Sequence, residues 1–414
     1  MKIAQPSLGR KGMIFFLIAL GAFPPLTMDM YLPALPDMTD TFGVTQSMVN
    51  LTLAAYMIAF ALGLLFWGPL SERIGRKPVL LVTLVLYIVA SLLCALVYQI
   101  EYLIGYRILQ GIAGGGVTVI GTTIVKDMFD GRERERVMAV VMSLVIIAPI
   151  VAPVLGALLL QFASWHMIFV VLAVFASCVL VLVFFYQETL PEKSTGPLYQ
   201  SWVRLGVVGM NPRFAYLLLT FSLAPMCLLS FLGVASYVYV DRFGMTEQGF
   251  SYIFAFNAVF AAIGPVLYMR LSRDIAVDNI IQWCFGAIVL AGIAMFAAGP
   301  LSFWAFGAIA ALMTIAVIMV RIPGANLLLD QQTQDTGSAA ALIQFSGTIL
   351  GAIGVQIVSA ISKDLIHSYA VLLLVVGASC SVLWIIVRKQ SFVTDHLVKP
   401  DALDGQRTVC ETGE

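Results

Sequence analysis

Asp29 is the only acidic residue inside any long apolar stretch of the chain, set in Leu26-Thr27-Met28-Asp29-Met30 between the pair Pro24-Pro25 and Tyr31-Leu32-Pro33. A carboxylate in hydrocarbon is costly and marks a functional position by default. Low polarity favours the neutral carboxyl over the anion, so a modest change in water access or in a neighbouring charge loads or unloads one proton. Two cations, Arg107 and Arg321, also fall inside apolar stretches. Asp29 lies about five residues from the end of its stretch, roughly 7–8 Å deep at 1.5 Å per residue, and Arg107 enters its own stretch to a similar depth from the same side. The two are expected either to share a network in which Arg107 favours the aspartate anion, or to form a purely structural ion pair. Asp29 snorkelling to the near surface is the plainer alternative. Arg321, with Pro323 and Asn326 nearby, reads equally as a substrate contact or as a snorkelling cation.

The elements that carry these residues follow from composition. With 60% hydrophobic and 11% charged residues over 414 positions, the chain lacks the roughly 25% charged residues of a soluble globule. It reads as an all-α membrane protein. Apolar runs of the length that crosses a bilayer, about 20 helical residues, occur near 12–34, 47–70, 77–98, 102–125, 137–161, 165–186, 214–239, 249–269, 279–298, 301–329, 337–361 and 366–387. The first follows Lys2, Arg10 and Lys11 but carries prolines and Asp29, and is read as an uncleaved span and not a signal peptide. Twelve spans with both termini cytoplasmic place 19 of the 23 Lys and Arg on the inner side. A missed or extra span would invert every later loop, so this charge distribution tests the count. The longest polar connection, 187–213, divides the chain into a six-helix bundle at 1–186 and another at 214–390, with a tail at 391–414. That is the layout of a carrier built from two repeats.

Zero net charge names no nucleic-acid partner. Cys94, Cys178, Cys227, Cys284 and Cys380 are scattered through apolar runs with Cys410 in the tail, and the three histidines are dispersed. Neither a disulfide framework nor a metal site is expected. The Ala113-Gly114-Gly115-Gly116 run has no preceding strand and no P-loop accompanies it, so neither ATP nor any other cofactor is expected. No catalytic cluster suggests an enzyme.

After the second run, Gly68-Pro69-Leu70-Ser71-Glu72-Arg73-Ile74-Gly75-Arg76-Lys77-Pro78 forms a tight charged turn. Gly68 is expected to admit a close helix neighbour and Gly75 a positive-φ backbone. The fourth run contains Arg107-Ile108-Leu109-Gln110-Gly111, and the fifth Ala148-Pro149, Ala152-Pro153 and Gly156-Ala157. These elements resemble the signature loop, the R-x-x-Q-G element and the antiporter element of the major facilitator superfamily, with Glu72 in place of the usual Asp and three glycines of the last element changed to alanine. With Met28-Asp29-Met30-Tyr31-Leu32-Pro33 they are similar to drug:proton antiporters of the Bcr/CflA type.

The resemblance implies a major facilitator fold, protons and a small amphipathic molecule as the partners, and residence in the inner membrane as a monomer. It implies proton coupling through Asp29 and Arg107. It implies an inner latch of Glu72, Arg73, Arg76 and Asp127, with Glu72 near the start of the eleventh span around Thr336-Gly337-Ser338. Pro149, Pro153 and Gly156 would bend the fifth span so that it packs on the other half, or be an ordinary kink. Pocket candidates, chosen by position, are Tyr56, Tyr106, Met226, Tyr237, Phe254, Asn257, Arg321, Asn326 and Gln344. Gly111-Gly115 and Gly347-Gly351 read as packing pairs. A proton-coupled carrier of an endogenous metabolite, exporter or symporter, shares all these features. A membrane enzyme or receptor would need a catalytic cluster or an added domain.

Overall fold

The computed structural model describes residues 5–129, 131–190, 198–332, 336–361 and 364–397, and within them the chain is helical with no strand. The long helices are α1 (Gly9–Phe42), α2 (Gln46–Ile74), α3 (Arg76–Ala95), α4 (Ile100–Met128), α5 (Gly131–Leu160), α6 (His166–Phe185), α7 (Pro212–Arg242), α8 (Glu247–Leu271), α9 (Val277–Leu301), α10 (Phe303–Asp330), α11 (Gly337–Ile361) and α12 (Leu365–Val387). Among the described residues, eleven of these are long and apolar enough to cross a membrane. The remaining one, α5, is a continuous helix of 30 residues, and Ile147–Leu160 is the apolar part of it that can be described. A helix at Leu198–Gly209 occupies part of the polar connection, where the sequence alone suggested no element.

The first helix runs past the expected end at residue 34. It is assembled from Gly9–Gly21, Phe23–Asp29, a tight turn at Leu32–Ala34, and Leu35–Phe42. Pro24, Pro25, Pro33 and Pro36 each lack a backbone donor and favour the start of a helical segment. Asp29 therefore sits at an internal break and not near the span's end. Phe42 lies thirteen residues beyond it, about 20 Å along the axis, although the last turns carry the exposed Asp37 and Asp40.

Helix α2 packs on α4, α3 on α4 and α6, α7 on α10 and α11, and α9 on α10 and α12, while α2 meets α11 and α5 meets α8 across the two groups. Glycine sets the closest of these approaches. A methyl at Gly63 would lie 2.5 Å from the Ile112 carbonyl oxygen and one at Gly111 2.5 Å from that of Tyr56, so α2 and α4 run backbone to backbone. Gly351 is pressed on Leu229 in the same way, whereas Gly347 has only ordinary contact with Pro225. Gly68 is not a close-approach site: a methyl there would meet only Val119, at 3.5 Å. Gly156 is one, with its α-carbon against the backbone carbonyl of Met30.

The turns after α1 and α7 repeat one design. Residues 42–46 read FGVTQ and 243–247 read FGMTE; Gly43 and Gly244 have φ of 62° and 66°, and Thr45 and Thr246 cap the next helix by accepting from the backbone N–H groups of Met48 and Gly249. Positive φ needs glycine, and the threonine satisfies a donor that the helix leaves open.

Gly156→Ala is expected to separate α1 from α5 and destabilise the protein by about 1–3 kcal/mol, the usual range for overpacking. Gly68→Ala should leave stability within about 0.5 kcal/mol. Denaturant unfolding in detergent measures both.

Candidate functional site

Arg107 is fully buried. Its guanidinium carbon lies 4.3 Å from the ring centre of Tyr56, 4.9 Å from Tyr31 and 5.8 Å from Phe169. A desolvated cation over aromatic faces gains about 2 kcal/mol. Arg107 Nη1 donates to Gln110 Oε1 at 2.7 Å, Gln110 Nε2 to Ser91 Oγ at 2.8 Å, and Ser91 Oγ to the Tyr87 carbonyl at 2.7 Å. This ladder ties α4 to α3. Its Nε and Nη2 have no partner among the described residues.

Of the two arrangements expected for Asp29 and Arg107, the direct ion pair is not formed among the described residues. Asp29 is buried at 5% exposure, and no ion pair or hydrogen bond holds its carboxyl among the described residues. Residues two apart on a helix point to different faces, and it is Tyr31 that turns to Arg107, its hydroxyl meeting Thr52 Oγ1 at 2.8 Å. The two charges still communicate. Tyr56 lies within electrostatic reach of both Arg107 and Asp29, with its buried hydroxyl beside Thr27. Thr27, on the segment that carries Asp29, bonds the Tyr87 hydroxyl and thus closes the network onto α3.

The charged turn departs from expectation in the same informative way. Glu72 and Arg73 are exposed, and no hydrogen bond or ion pair joins Glu72 to α11 among the described residues; the Thr336 side chain lies outside them. The acid at a helix N-terminus is Glu188. Its carboxylate accepts the backbone N–H groups of Arg76 and Lys77, both at 3.0 Å, at the start of α3, and those of Thr189 and Leu190. Gly75 has φ 122°, and a methyl there would come 2.6 Å from Glu188 Oε2, so glycine is required on both counts. Lys77 Nζ reciprocates by donating to the carbonyls of Phe184 and Tyr186 at the end of α6, at 3.1 and 2.6 Å. Each helix end thus receives the charge its dipole favours. Arg76 does pair with Asp127, at 2.9 Å, and donates to Ser71. All of this lies within α2, α3, α4 and the end of α6, so in the state described the cluster braces one group of helices.

The hydrogen bonds between the groups, among the described residues, lie at the opposite ends of the helices. Asn50 of α2 donates to the Gly233 carbonyl at 2.9 Å and to Ser359 Oγ of α11. Gln356 donates to Ser47, and Gln46 to Asp241. The Ser251 hydroxyl of α8 is shared between the Pro153 carbonyl of α5 at 3.0 Å and the Glu247 carbonyl of its own helix at 2.8 Å, and Gln161 donates to Gln248. Asn50 and Ser251 each fall five residues after their repeated capping threonine, so the two seals are equivalent positions of one design. The proline element therefore touches the other group through Pro153, whereas Gly156 faces α1; Pro149 is half-buried.

The pocket candidates have separate surroundings in the state described. Tyr56 belongs to the Arg107 cage. Met226 packs on Gly354, Tyr237 ends beside Thr39, and Phe254 stacks on Phe231 at 5.9 Å. Asn257 is buried with its Nδ2 unpartnered. Tyr106 faces a depression with Tyr98, Gln99 and Tyr102 at the turn between α3 and α4, away from Tyr56. Asn326 lies five helical turns beyond Ala308 and shares its exposed face. Arg321 and Gln344 do meet, Nη2 to Oε1 at 3.2 Å.

Among the described residues, Asp29 and Arg107 are thus a buried acid and a buried base that no ion pair joins, in two groups of helices bonded to each other at one end. A family model described as Major Facilitator Superfamily matches residues 15–355. The chain belongs to the major facilitator superfamily. It is similar to the chloramphenicol resistance protein of Pseudomonas aeruginosa, 29% identical over 369 residues that cover 86% of this chain and 87% of that protein. It is also similar to a bicyclomycin resistance protein homolog of Haemophilus influenzae, 26% identical over 388 residues, 89% of this chain and 94% of that protein. In fold it matches the crystal structure of a peptide transporter, POT, in complex with sulfate, with TM-score 0.73 at 13% identity over 93% of this chain and 97% of that one. As a member of this superfamily the chain is a multi-pass membrane transporter.

Two outcomes test the site's geometry. Glu188→Ala should cost about 2–3 kcal/mol, since it strips charged acceptors from several backbone donors, and Glu72→Ala should stay within about 0.5 kcal/mol; unfolding midpoints compare them. Asn50→Ala combined with Ser251→Ala should weaken the seal by about 1–3 kcal/mol per residue. Spin labels on cysteines at the exposed Phe162 and Leu301 should then report a new population at longer distance.

Proposed function

We propose that this transporter exports small amphipathic compounds in exchange for protons, by alternating access, in the inner membrane. It acts as a monomer and needs no cofactor. Eleven spans and α5 together make twelve, arranged as six-helix bundles at 1–186 and 214–390. The connection at 187–213, the tail at 391–414 and both termini face the cytoplasm. Sidedness follows from the lysines and arginines, which gather at the Gly68–Lys77 end of the helices. The seal around Asn50 and Ser251 then faces outward, and the described state is closed to the outside.

The observation that carries this reading is the buried carboxyl of Asp29, without an ion partner and within electrostatic reach of Tyr56, which Arg107 also reaches. A permanently paired carboxylate would hold one charge state through the cycle; an unpaired one changes state when its surroundings change. With the outside open, Asp29 takes a proton and substrate leaves; with the inside open, the proton departs and substrate binds. Exchange requires only that the two loads disfavour each other. One proton crossing ~150 mV supplies about 3.5 kcal/mol, enough for a few-hundred-fold gradient of a neutral compound. The two relatives named for antibiotic resistance support a drug-like substrate.

In right-side-out vesicles of a drug-sensitive host, an inward proton gradient should drive a chloramphenicol-class compound outward through the wild type. Asp29→Asn should abolish the gradient's effect while energy-independent exchange of the compound persists. Arg107→Ala should lower coupled export at least tenfold. Gradient-driven accumulation of the compound inside the vesicles would instead establish symport, and full coupled export by Asp29→Asn would end the proposal.

A further inference from the structure

Arg321 and Gln344 form a polar contact that neither the proton site nor the seal uses. Both side chains are exposed, and neither lies on its helix's exposed apolar face. On α10 that face carries Trp304, Ala308 and Leu312 at four-residue spacing, with Leu312 65% exposed. Arg321 comes nine residues after Leu312, two and a half turns, which places it on the opposite side. On α11, Ile353 is exposed and Gln344 precedes it by the same nine residues. Two exposed polar groups that meet at 3.2 Å and both turn away from their helices' apolar surface are placed to face the interior between the helices.

The arginine is held and largely unused. Val320, Pro323 and Gly324 around it are buried, and Gly324 is seated on the Phe221 ring of α7, which fixes the backbone that carries it. No carboxylate pairs with it among the described residues. A guanidinium has five N–H donors, and Gln344 takes one of them. The free edge is a planar fork that matches a carboxylate or other oxyanion and repels a cation.

We propose that Arg321, steadied by Gln344, receives the acidic group of the transported molecule, so that amphipathic organic anions are the preferred substrates. This rests on the exporter reading above and narrows its substrate class. Charge balance favours it. Exchange of a neutral molecule for one proton moves one positive charge inward per cycle, whereas a monovalent anion leaving as a proton enters moves two. The membrane potential then acts twice on the same cycle.

The test is equilibrium binding without any gradient, on purified full-length protein in nanodiscs, with 1-naphthaleneacetate and its methyl ester as probes. The wild type should bind the acid at least tenfold more tightly than the ester. Arg321→Gln should remove that preference, Arg321→Lys should retain part of it, and Gln344→Ala should reduce it. Asp29→Asn should keep it, which separates this assignment from proton coupling. Nanodiscs of phosphatidylcholine and of phosphatidylglycerol distinguish the sources of the anion. Loss of the acid preference in phosphatidylglycerol would make Arg321 a lipid-headgroup site and overturn the proposal. So would a wild type that binds the acid no better than the ester, or binds neither, or an Arg321→Gln variant that keeps the preference.

Discussion

The proposed cycle depends on withholding a permanent counter-charge from Asp29. A buried carboxylate and a buried arginine a few ångströms apart would form a pair whose rupture leaves an uncompensated charge, at a cost of about 3–5 kcal/mol. A carrier built on such a pair would meet that barrier twice per turnover. Here the backbone register of the broken first helix turns Tyr31 toward Arg107, and aromatic faces hold the cation in place of a carboxylate. Tyr56 keeps the acid and the base in electrostatic contact without locking them together.

The rest of the molecule separates rigid parts from parts that must move. Ionic and backbone-capping contacts concentrate among α2, α3, α4 and the end of α6, where Arg76, Asp127, Lys77 and Glu188 brace one group of helices. Between the groups, the bonds at the sealed end come mainly from neutral amides and hydroxyls, with Asp241 as the charged exception. Neutral hydrogen bonds each contribute about 1 kcal/mol net and exchange readily for water. They suit a surface that opens and closes, as charged caps suit one that stays shut.

Much of this was legible in the sequence because hydrophobic length and the Lys/Arg distribution act on whole helices. The same data could not set side-chain direction. Asp29 and Arg107 stand out in the sequence as charges within apolar runs and both are buried, but whether they pair directly depends on side-chain direction in a first helix that four prolines interrupt. Glu72 stood inside a recognisable motif and drew attention from Glu188, which lies 111 residues from Lys77 and becomes its neighbour only when α3 and α6 pack. Gly68 was expected at a close contact that Gly63 and Gly111 make. Asn50 and Ser251 carried a signal that was overlooked, the repeated FG-x-T corner five residues ahead of each. Helical phase is likewise invisible to a choice made by position along the chain: Tyr106 lines a depression with Tyr98, Gln99 and Tyr102, and Asn326 shares a face with Ala308.

Glu188 also fixes an order of events in biosynthesis. The start of α3 emerges from the ribosome long before the acid that satisfies its backbone donors, which arrives only once α6 has been made. Until then that end of α3 relies on water or headgroups, and the lysine beside it has no helix terminus to grip. A chain that stops before residue 188 therefore leaves the backbone donors at the start of α3 without the carboxylate that caps them.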